Sequence, residues 1–216
     1  VPFKDRNEAG KMLAEQTELR ELTDVVVVST PRGGIPVAVE IARSLRAPVD
    51  VMPVEEISTP GKPEYVVGAV AENAIHVIDS DALAALGVTE DSLAIRVAEA
   101  TALIARLSKI YRGENGSALS VAGQTVVVVD DGSATGPALE AVALALSRRN
   151  VSDIWLATPV VPDGVVHGYS RIVTVRRSDD YADGMALVGL WYDDFTAPSH
   201  EVAAGELREY VAAYSS

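Results

Sequence analysis

Cysteine is absent from the 216-residue chain, which rules out a disulfide framework and a thiolate metal site. Histidine is scarce. His76, His167 and His200 do not have metal-ligand spacing, and each is expected at the surface or in a structural role. No apolar run approaches the roughly 18 residues of a membrane-crossing helix, so no membrane partner is expected. The opening stretch VPFKDRNEAGK lacks an apolar signal core, and the expected compartment is the cytoplasm. Basic residues are the minority, 18 against 31 acidic, for a formal net charge of −13. A nucleic-acid partner needs a basic face to neutralise its phosphates, so none is expected. Repeats, low-complexity tracts and Pro/Ser-rich linkers are missing as well. The chain is therefore read as one domain over 1–216.

What the chain does have is alternation. Residues 7–21 suit an opening helix. DVVVVST (24–30) is a β-branched run, read as a strand buried on both faces. PRGG turns the chain, and IPVAVEIARSLR follows with Ile35, Val39, Ala42 and Leu45 at helical spacing. APVDVMPVEEI reads as the next strand. Strand, turn, helix and strand within about 30 residues form a βαβ unit, which implies a parallel sheet. After the STPGKPE loop, YVVGAVAENAIHVID reads as two short strands around Glu72 and Asn73, a β-flap over about 58–80. Thr89, backed by Glu90 and Asp91, caps a long helix with an apolar stripe of Leu93, Val97, Ala100, Ile104, Leu107 and Tyr111. A strand and helix at 126–146, strands at 153–161 and 171–175, the apolar segment 185–195 and a helix near 200–213 complete the chain. The expected fold class is α/β, a doubly wound and mainly parallel sheet with the β-flap and a small hood at about 178–200. Ligand sites are expected beyond the C-terminal ends of its strands.

One stretch concentrates the chemistry: VVVVDDGSATGPALEAVALAL, 126–146. A buried strand delivers Asp130 and Asp131 to its carboxyl end. Gly132 and Gly136 bracket a turn of small residues whose N–H groups can converge, and the helix from Pro137 aims its positive end there. An anion held by these amides and the Thr135 hydroxyl is the physical expectation. Adjacent carboxylates suit vicinal hydroxyls, since a carboxylate is a strong acceptor. Phosphate plus diol describes a ribose 5-phosphate group. The structural alternative is that Asp130 and Asp131 cap the helix and the glycines only serve the turn. Rival motifs fail: the chain has no G-x-x-x-x-G-K-[ST], no G-x-G-x-x-G and no G-x-S-x-G.

VVVVDDGSATG resembles the phosphoribosyl-diphosphate (PRPP) signature of type I phosphoribosyltransferases: a hydrophobic strand, two acids, two variable residues, then a small residue, Thr and Gly. PRGGIPVAVEIARSL, STPGKPEYVVGAVAEN, IYRG and VGLWYDDF resemble segments of one subgroup, bacterial and archaeal predicted phosphoribosyltransferases of unassigned substrate. The resemblance implies that Asp130 and Asp131 hold the ribose hydroxyls. Gly132, Ser133, Ala134, Thr135, Gly136, Pro137 and Ala138 would surround the 5-phosphate. Pro31, Arg32, Gly33 and Gly34 would form the pyrophosphate loop. LVGLWYDDF is similar to the purine-side segment of hypoxanthine-guanine phosphoribosyltransferases, which implies Trp191 or Tyr192 stacking on a base and Asp193 or Asp194 near its edge. Ordinary core packing is the alternative for these aromatics. The implied chemistry is displacement of pyrophosphate at the ribose C1, which needs positioning, charge stabilisation and exclusion of water. Mg²⁺ accompanies PRPP, bridging its phosphates without a protein cage. Partners would be PRPP or another ribose phosphate and a small-molecule acceptor, with a homodimer expected as in relatives of this fold.

Three departures from the family bear on catalysis. Relatives carry Arg-Lys where Glu55 and Glu56 stand here. At about 6 Å and an effective dielectric near 20, each like-charge pair costs roughly 3 kcal/mol before screening. Pro137 has no N–H for the phosphate, although proline suits the first helical position. Ala138 replaces a hydroxyl donor, at a cost of roughly 1–2 kcal/mol. Two other functions stay open: a non-catalytic or regulatory binder of a nucleotide or phosphorylated sugar, and a metal-dependent phosphatase using the same acids.

Overall fold

A computed structural model of the chain describes residues 2–59, 61–114, 116–132, 136–161, 167–177 and 188–214, with the backbone alone at 63 and 64. Its centre follows from two runs of valine. Strand β1 (Val25–Ser29) is buried at every position, and β6 (Thr125–Val129) at every position but its first. They pair in parallel, Val26 beside Val126 and Ser29 beside Val129. Side chains alternate across a strand, so each run feeds two cores. Val25, Val27, Val127 and Val129 join one cluster, while Val26, Val28, Val126 and Val128 join another on the opposite face. β-Branched residues at both sets of positions are what a sheet covered on both faces requires.

The full sheet has the order β2-β1-β6-β7-β8, with β2 (Val49–Val51), β7 (Asp153–Val161) and β8 (Arg171–Arg177). Every pairing in it is parallel. The expected α/β class and parallel sheet are therefore present. From β1 the chain moves outward to β2, then returns on the other side of β1 as β6. The strand order thus reverses between β1 and β6, and the loops leaving their C-terminal ends part to opposite faces. That crevice is where open α/β sheets hold ligands.

Helices α1 (Arg6–Ala14), α2 (Thr17–Arg20) and α3 (Gly34–Leu45) lie in the N-terminal part of the chain. The single opening helix expected over 7–21 is broken at residues 15–16. Asp5 caps α1 by accepting from the Glu8 N–H. A Cβ at Gly10 would sit 2.9 Å from the Val37 carbonyl, so this glycine allows α1 and α3 to press together. APVDVMPVEEI is also two strands rather than one. β2 ends at Val51, and β3 (Val54–Thr59) leaves the main sheet for a smaller one. Pro53, with no N–H to donate, sits at the break. β3 joins β4 (Lys62–Ala71) and β5 (Ile75–Ile78) in an antiparallel sheet of order β3-β4-β5. The flap thus begins at Val54, earlier than its expected limit, and carries Glu55 and Glu56.

Helix α4 (Ser80–Leu86), capped by Asp79, was not anticipated from the sequence. Helix α5 (Glu90–Arg112) starts at Thr89, whose hydroxyl accepts from the Ser92 N–H. Ala100 and Ile104 of α5 pack on the flap residues Ile57, Val67 and Val70. The flap's other face meets α6 (Pro137–Ser147), where Ala69, Ala71 and Ile75 share a cluster with Leu139 and Val142. The last helix, α7 (His200–Tyr214), buries Ala203, Ala204, Leu207 and Tyr210. Within the segment 185–195 the described part makes a short turn and one parallel bridge, Tyr192 to Phe3. The remainder of the expected hood, 178–187, lies outside the described residues.

A buried ionic knot ties these parts together. Arg112 at the end of α5 donates to Asp50 Oδ1 at 2.7 Å, to Glu72 and to the Val51 carbonyl. Glu72 also accepts from Ser108 Oγ at 2.8 Å and from Arg149 Nη2 at 2.7 Å. Asp50 Oδ2 accepts from the Leu119 N–H at 2.9 Å. Such a cluster does more to fix geometry than to add stability, because desolvation offsets much of the attraction.

Candidate functional site

The site grows from the ends of β1 and β6. The Thr30 N–H donates to the Val129 carbonyl at 2.9 Å, so the two strands stay paired to their last residues. The Thr30 hydroxyl then donates to Asp130 Oδ1 at 2.6 Å, and the Gly132 N–H to Asp130 Oδ2 at 3.1 Å. Asp131 is held differently. Its Oδ2 accepts from Arg6 Nε at 2.6 Å, and its backbone carbonyl accepts from the Tyr192 hydroxyl at 2.6 Å. Neutral donors thus face Asp130, and a cation faces Asp131.

The PRGG turn leans directly on this pair. A Cβ at Gly33 would lie 2.0 Å from Asp131 Oδ2, and one at Gly34 would lie 2.4 Å from Thr30 Oγ1. No other residue permits that approach. Gly132 has φ +135°, and a Cβ there would also collide with Val188 Cγ1 at 2.4 Å. Arg32 takes the left-handed conformation at φ 59°, a strained choice for a residue with a long side chain. Two contacts hold it there. Its N–H donates to the Tyr111 hydroxyl at 3.1 Å, its Nε donates to the Pro198 carbonyl at 3.0 Å, and Tyr111 is bonded in turn to His200 Nδ1 at 2.7 Å.

Burial, followed by the neighbouring Asp131 charge, pushes Asp130 up to about 7; Glu56 adds to the effect, while Thr30 and Gly132 oppose it. Burial also raises Asp131, against the pull of Arg6 and Arg32. The two carboxyl groups titrate as a coupled pair, and each is easier to protonate than a free aspartate. Burial raises the Tyr111 hydroxyl to about 12, and it lowers His200, with the Arg32 charge acting in the same direction. Both hydroxyl–imidazole partners therefore stay neutral near pH 7.

The structure brings Asp130, Asp131, Gly33, Gly34 and Gly132 together, with Pro31 half-buried in the same turn and Arg32 exposed at its rim. Gly136, Pro137 and Ala138 open α6, Pro137 in its first turn. Ser133, Ala134 and Thr135 lie outside the described residues. Tyr192 is buried between Phe3 and Phe195, with ring centroids 5.2 and 4.8 Å away. Its ring is thus packed in the protein, and its hydroxyl supports Asp131. Trp191 is half-buried beneath the Arg176 guanidinium at 5.5 Å. Asp193 is exposed, and its N–H donates to the Phe3 carbonyl at 2.8 Å.

Glu56 pairs with Ala69 across the flap sheet, on the face toward α6, and its charge reaches Asp130. Glu55, raised by burial and then by Glu56, lines with it a cavity of about 380 Å³ that also includes Arg96 and Glu99 of α5. Among the described residues, no group of three or more His, Asp and Glu side chains is placed to hold a metal ion, and no helix is long and apolar enough to cross a membrane. Sequence reasoning did not single out Arg6, Thr30, Tyr111 or His200 for the site. Thr30 adjoins the PRGG motif and was within reach. The other three arrive from distant elements.

The model of the phosphoribosyl transferase domain matches residues 6–184. Two Mycobacterium tuberculosis relatives are named "Putative phosphoribosyl transferase Rv0571c" (strain H37Rv) and its MT0597 counterpart (strain CDC 1551). Each is 35% identical over 211 residues, covering 92% of this chain and 45% of its own length. The chain therefore spans about half the length of these curated relatives. The crystal structure of TT1426 from Thermus thermophilus superposes with a TM-score of 0.75 at 30% identity, covering 97% of this chain and 99% of that one.

Proposed function

The chain belongs to the phosphoribosyl transferase domain family, and from that premise we propose that it transfers ribose 5-phosphate from Mg²⁺–PRPP to a small acceptor. A purine-like nucleobase is the favoured acceptor, which would place the protein in nucleotide metabolism. The bond from the ribose C1 to the diphosphate oxygen breaks, a bond from C1 to the base nitrogen forms, and the proton on that nitrogen passes to the departing pyrophosphate. Asp130 and Asp131 accept from the ribose hydroxyls. The loop from Gly132 through Ser133, Ala134 and Thr135 to Ala138 cradles the 5-phosphate at the start of α6. The Pro31–Gly34 turn and Arg32 face the diphosphate, and Mg²⁺ enters as part of that substrate, keeping its waters. Trp191 is the ring assigned to the base, with Asp193 near its edge. Positioning accounts for most of the acceleration such a site can give, up to roughly 7–11 kcal/mol when two reactants are well aligned.

One observation carries this reading: at the point where strand order reverses, the PRGG turn touches the diacid with no room for a Cβ. A second reading, a non-catalytic binder of a nucleotide or phosphorylated sugar, draws on Glu56, whose charge adds to the diacid instead of neutralising a diphosphate. Calorimetry with Mg²⁺–PRPP and with ribose 5-phosphate, followed by turnover on a nucleobase panel, separates the two. Transfer predicts pyrophosphate release with at least one base, and a gain in the Glu55→Arg/Glu56→Lys variant. Binding of ribose 5-phosphate without turnover in either form supports the binder. Neither ligand binding would dismiss both.

A further inference from the structure

Arg6 stands at the first position of α1, where a helix favours negative charge, so the helix itself gives no reason for a cation there. It is 5% exposed although it carries a full charge. Its guanidinium is fixed on three sides. Nε donates to Asp131 Oδ2 at 2.6 Å, Nη1 donates to the Thr196 carbonyl at 3.0 Å, and its face lies 4.1 Å from the centroid of Phe195. Gly33 closes the remaining approach, since a Cβ there would sit 2.9 Å from Nε. A buried cation needs a countercharge, and the carboxylate it contacts is that of Asp131.

We propose that Arg6 is the positioning residue of the diacid: it fixes Asp131 through Oδ2 so that the other carboxyl oxygen stands as the acceptor for one ribose hydroxyl. This rests on the ribose-phosphate reading above. The asymmetry is geometric. Asp130 is met by a hydroxyl and an amide, both neutral, whereas Asp131 is met by a guanidinium that engages one oxygen and leaves a hydroxyl ligand needing only the other. The charged and titratable groups around Asp131 are Arg6 from α1, Arg32 from the turn after β1, Tyr192 from the C-terminal segment and Asp130 itself, with Glu56 of the flap acting on Asp130. Of these, only Arg6 is within contact distance and of opposite charge.

The test measures ribose 5-phosphate affinity from pH 5.5 to 9 for wild type, Arg6→Met, Arg6→Gln and Arg6→Lys. Circular dichroism checks folding, and carboxyl ¹³C shifts of labelled aspartate follow Asp131. Arg6→Met is expected to bind at least tenfold more weakly at pH 7. Its affinity profile and the Asp131 titration should both move up by about one pH unit or more. Arg6→Lys should restore most of the pH position and only part of the affinity, because an ammonium cannot reproduce the flat fork. If Arg6→Met does not fold, Arg6→Gln, which keeps a donor without a charge, is expected to show the same upward move. A folded uncharged variant with wild-type affinity and an unchanged Asp131 titration overturns the role of Arg6 alone. A wild type that binds neither ribose 5-phosphate nor PRPP overturns the functional reading and this role with it.

Discussion

Asp130→Asn should stabilise the protein, and by an amount that grows with pH. In the folded state burial and the adjacent Asp131 lift the Asp130 carboxyl to about 7, against roughly 3.9 in an unfolded chain. The folded protein therefore holds a proton that the unfolded chain has lost. Stability from this group is complete below about pH 4, declines as pH rises toward 7, and is flat above that. Integrated from pH 5 to pH 8, the loss is roughly 3 kcal/mol. Asparagine does not titrate and escapes it. Its amide fits the local bonds: the carbonyl oxygen takes the Gly132 N–H, and the NH₂ meets Thr30 Oγ1, whose proton can turn to the Val129 carbonyl at 3.4 Å. For a chain of this size the difference corresponds to roughly 5–10 °C in Tm. Differential scanning calorimetry of wild type and variant at pH 5, 6, 7 and 8 measures it. The variant should gain on wild type from pH 5 to pH 7 and level off by pH 8 while losing affinity for ribose 5-phosphate. A Tm difference that stays constant with pH would refute the reasoning.

Further outcomes follow from contacts already described. Gly33→Ala pushes a methyl into Asp131 Oδ2; it should cost about 1–3 kcal/mol in urea unfolding and remove ribose 5-phosphate binding in calorimetry. Glu72→Ala leaves Arg112 and Arg149 facing each other without their shared carboxylate, and chemical denaturation should show a loss of about 3–5 kcal/mol. Burial pushes Glu72 up, but Arg112, Ser108 and Arg149 together hold it below the usual carboxylate range. Its contribution is thus present above about pH 4.3 and lost as pH falls, so Glu72→Gln should flatten the acid limb of the pH–stability curve. Tyr111→Phe removes the acceptor for the Arg32 N–H and the partner of His200; hydrogen exchange at Arg32 should quicken and stability fall by about 1–2 kcal/mol.

The parts of the fold that were legible in the sequence are those with local causes. The valine runs of β1 and β6 announce strands covered on both faces, and Thr89 with its following acids announces α5. The break between β2 and β3 was passed over because Val51, Met52 and Val54 read as one strand, although Pro53 between them cannot donate to a ladder. Which sheet Val54–Thr59 joins is decided by partners further along the chain. Likewise α4 was concealed by Asp79 and Asp81, which look like the end of the flap until Asp79 is seen capping a turn. In the site, the diacid and the glycine turns could be picked out because their residue types are unusual in sequence. Their fasteners could not. Arg6 and Asp131 are separated by 125 positions, and nothing in the spacing of an N-terminal arginine says which carboxylate it will meet. Tyr192 teaches the complementary lesson: an aromatic near a motif suggests a stacking platform, but Phe3 and Phe195 occupy its ring.

The ionic knot around Arg112 also limits how the flap can travel. Glu72, directly after β4, is bound to Arg112 of α5 and to Arg149 just beyond α6, while Asp50 of β2 is bound to the same Arg112. Ile57, Val67 and Val70 add an apolar seat against α5. The register of β3 on β4 slips between Ile57 and Thr59, which places a built-in crease a few residues short of the hairpin tip. Bending of the hairpin is therefore confined to the stretch beyond the crease, a lever on the order of 10 Å for three strand residues, while its base stays anchored. The anchored base supplies the fulcrum, so Ile57 and the strand residues before it keep their place against α5 and α6 when the hairpin beyond them bends.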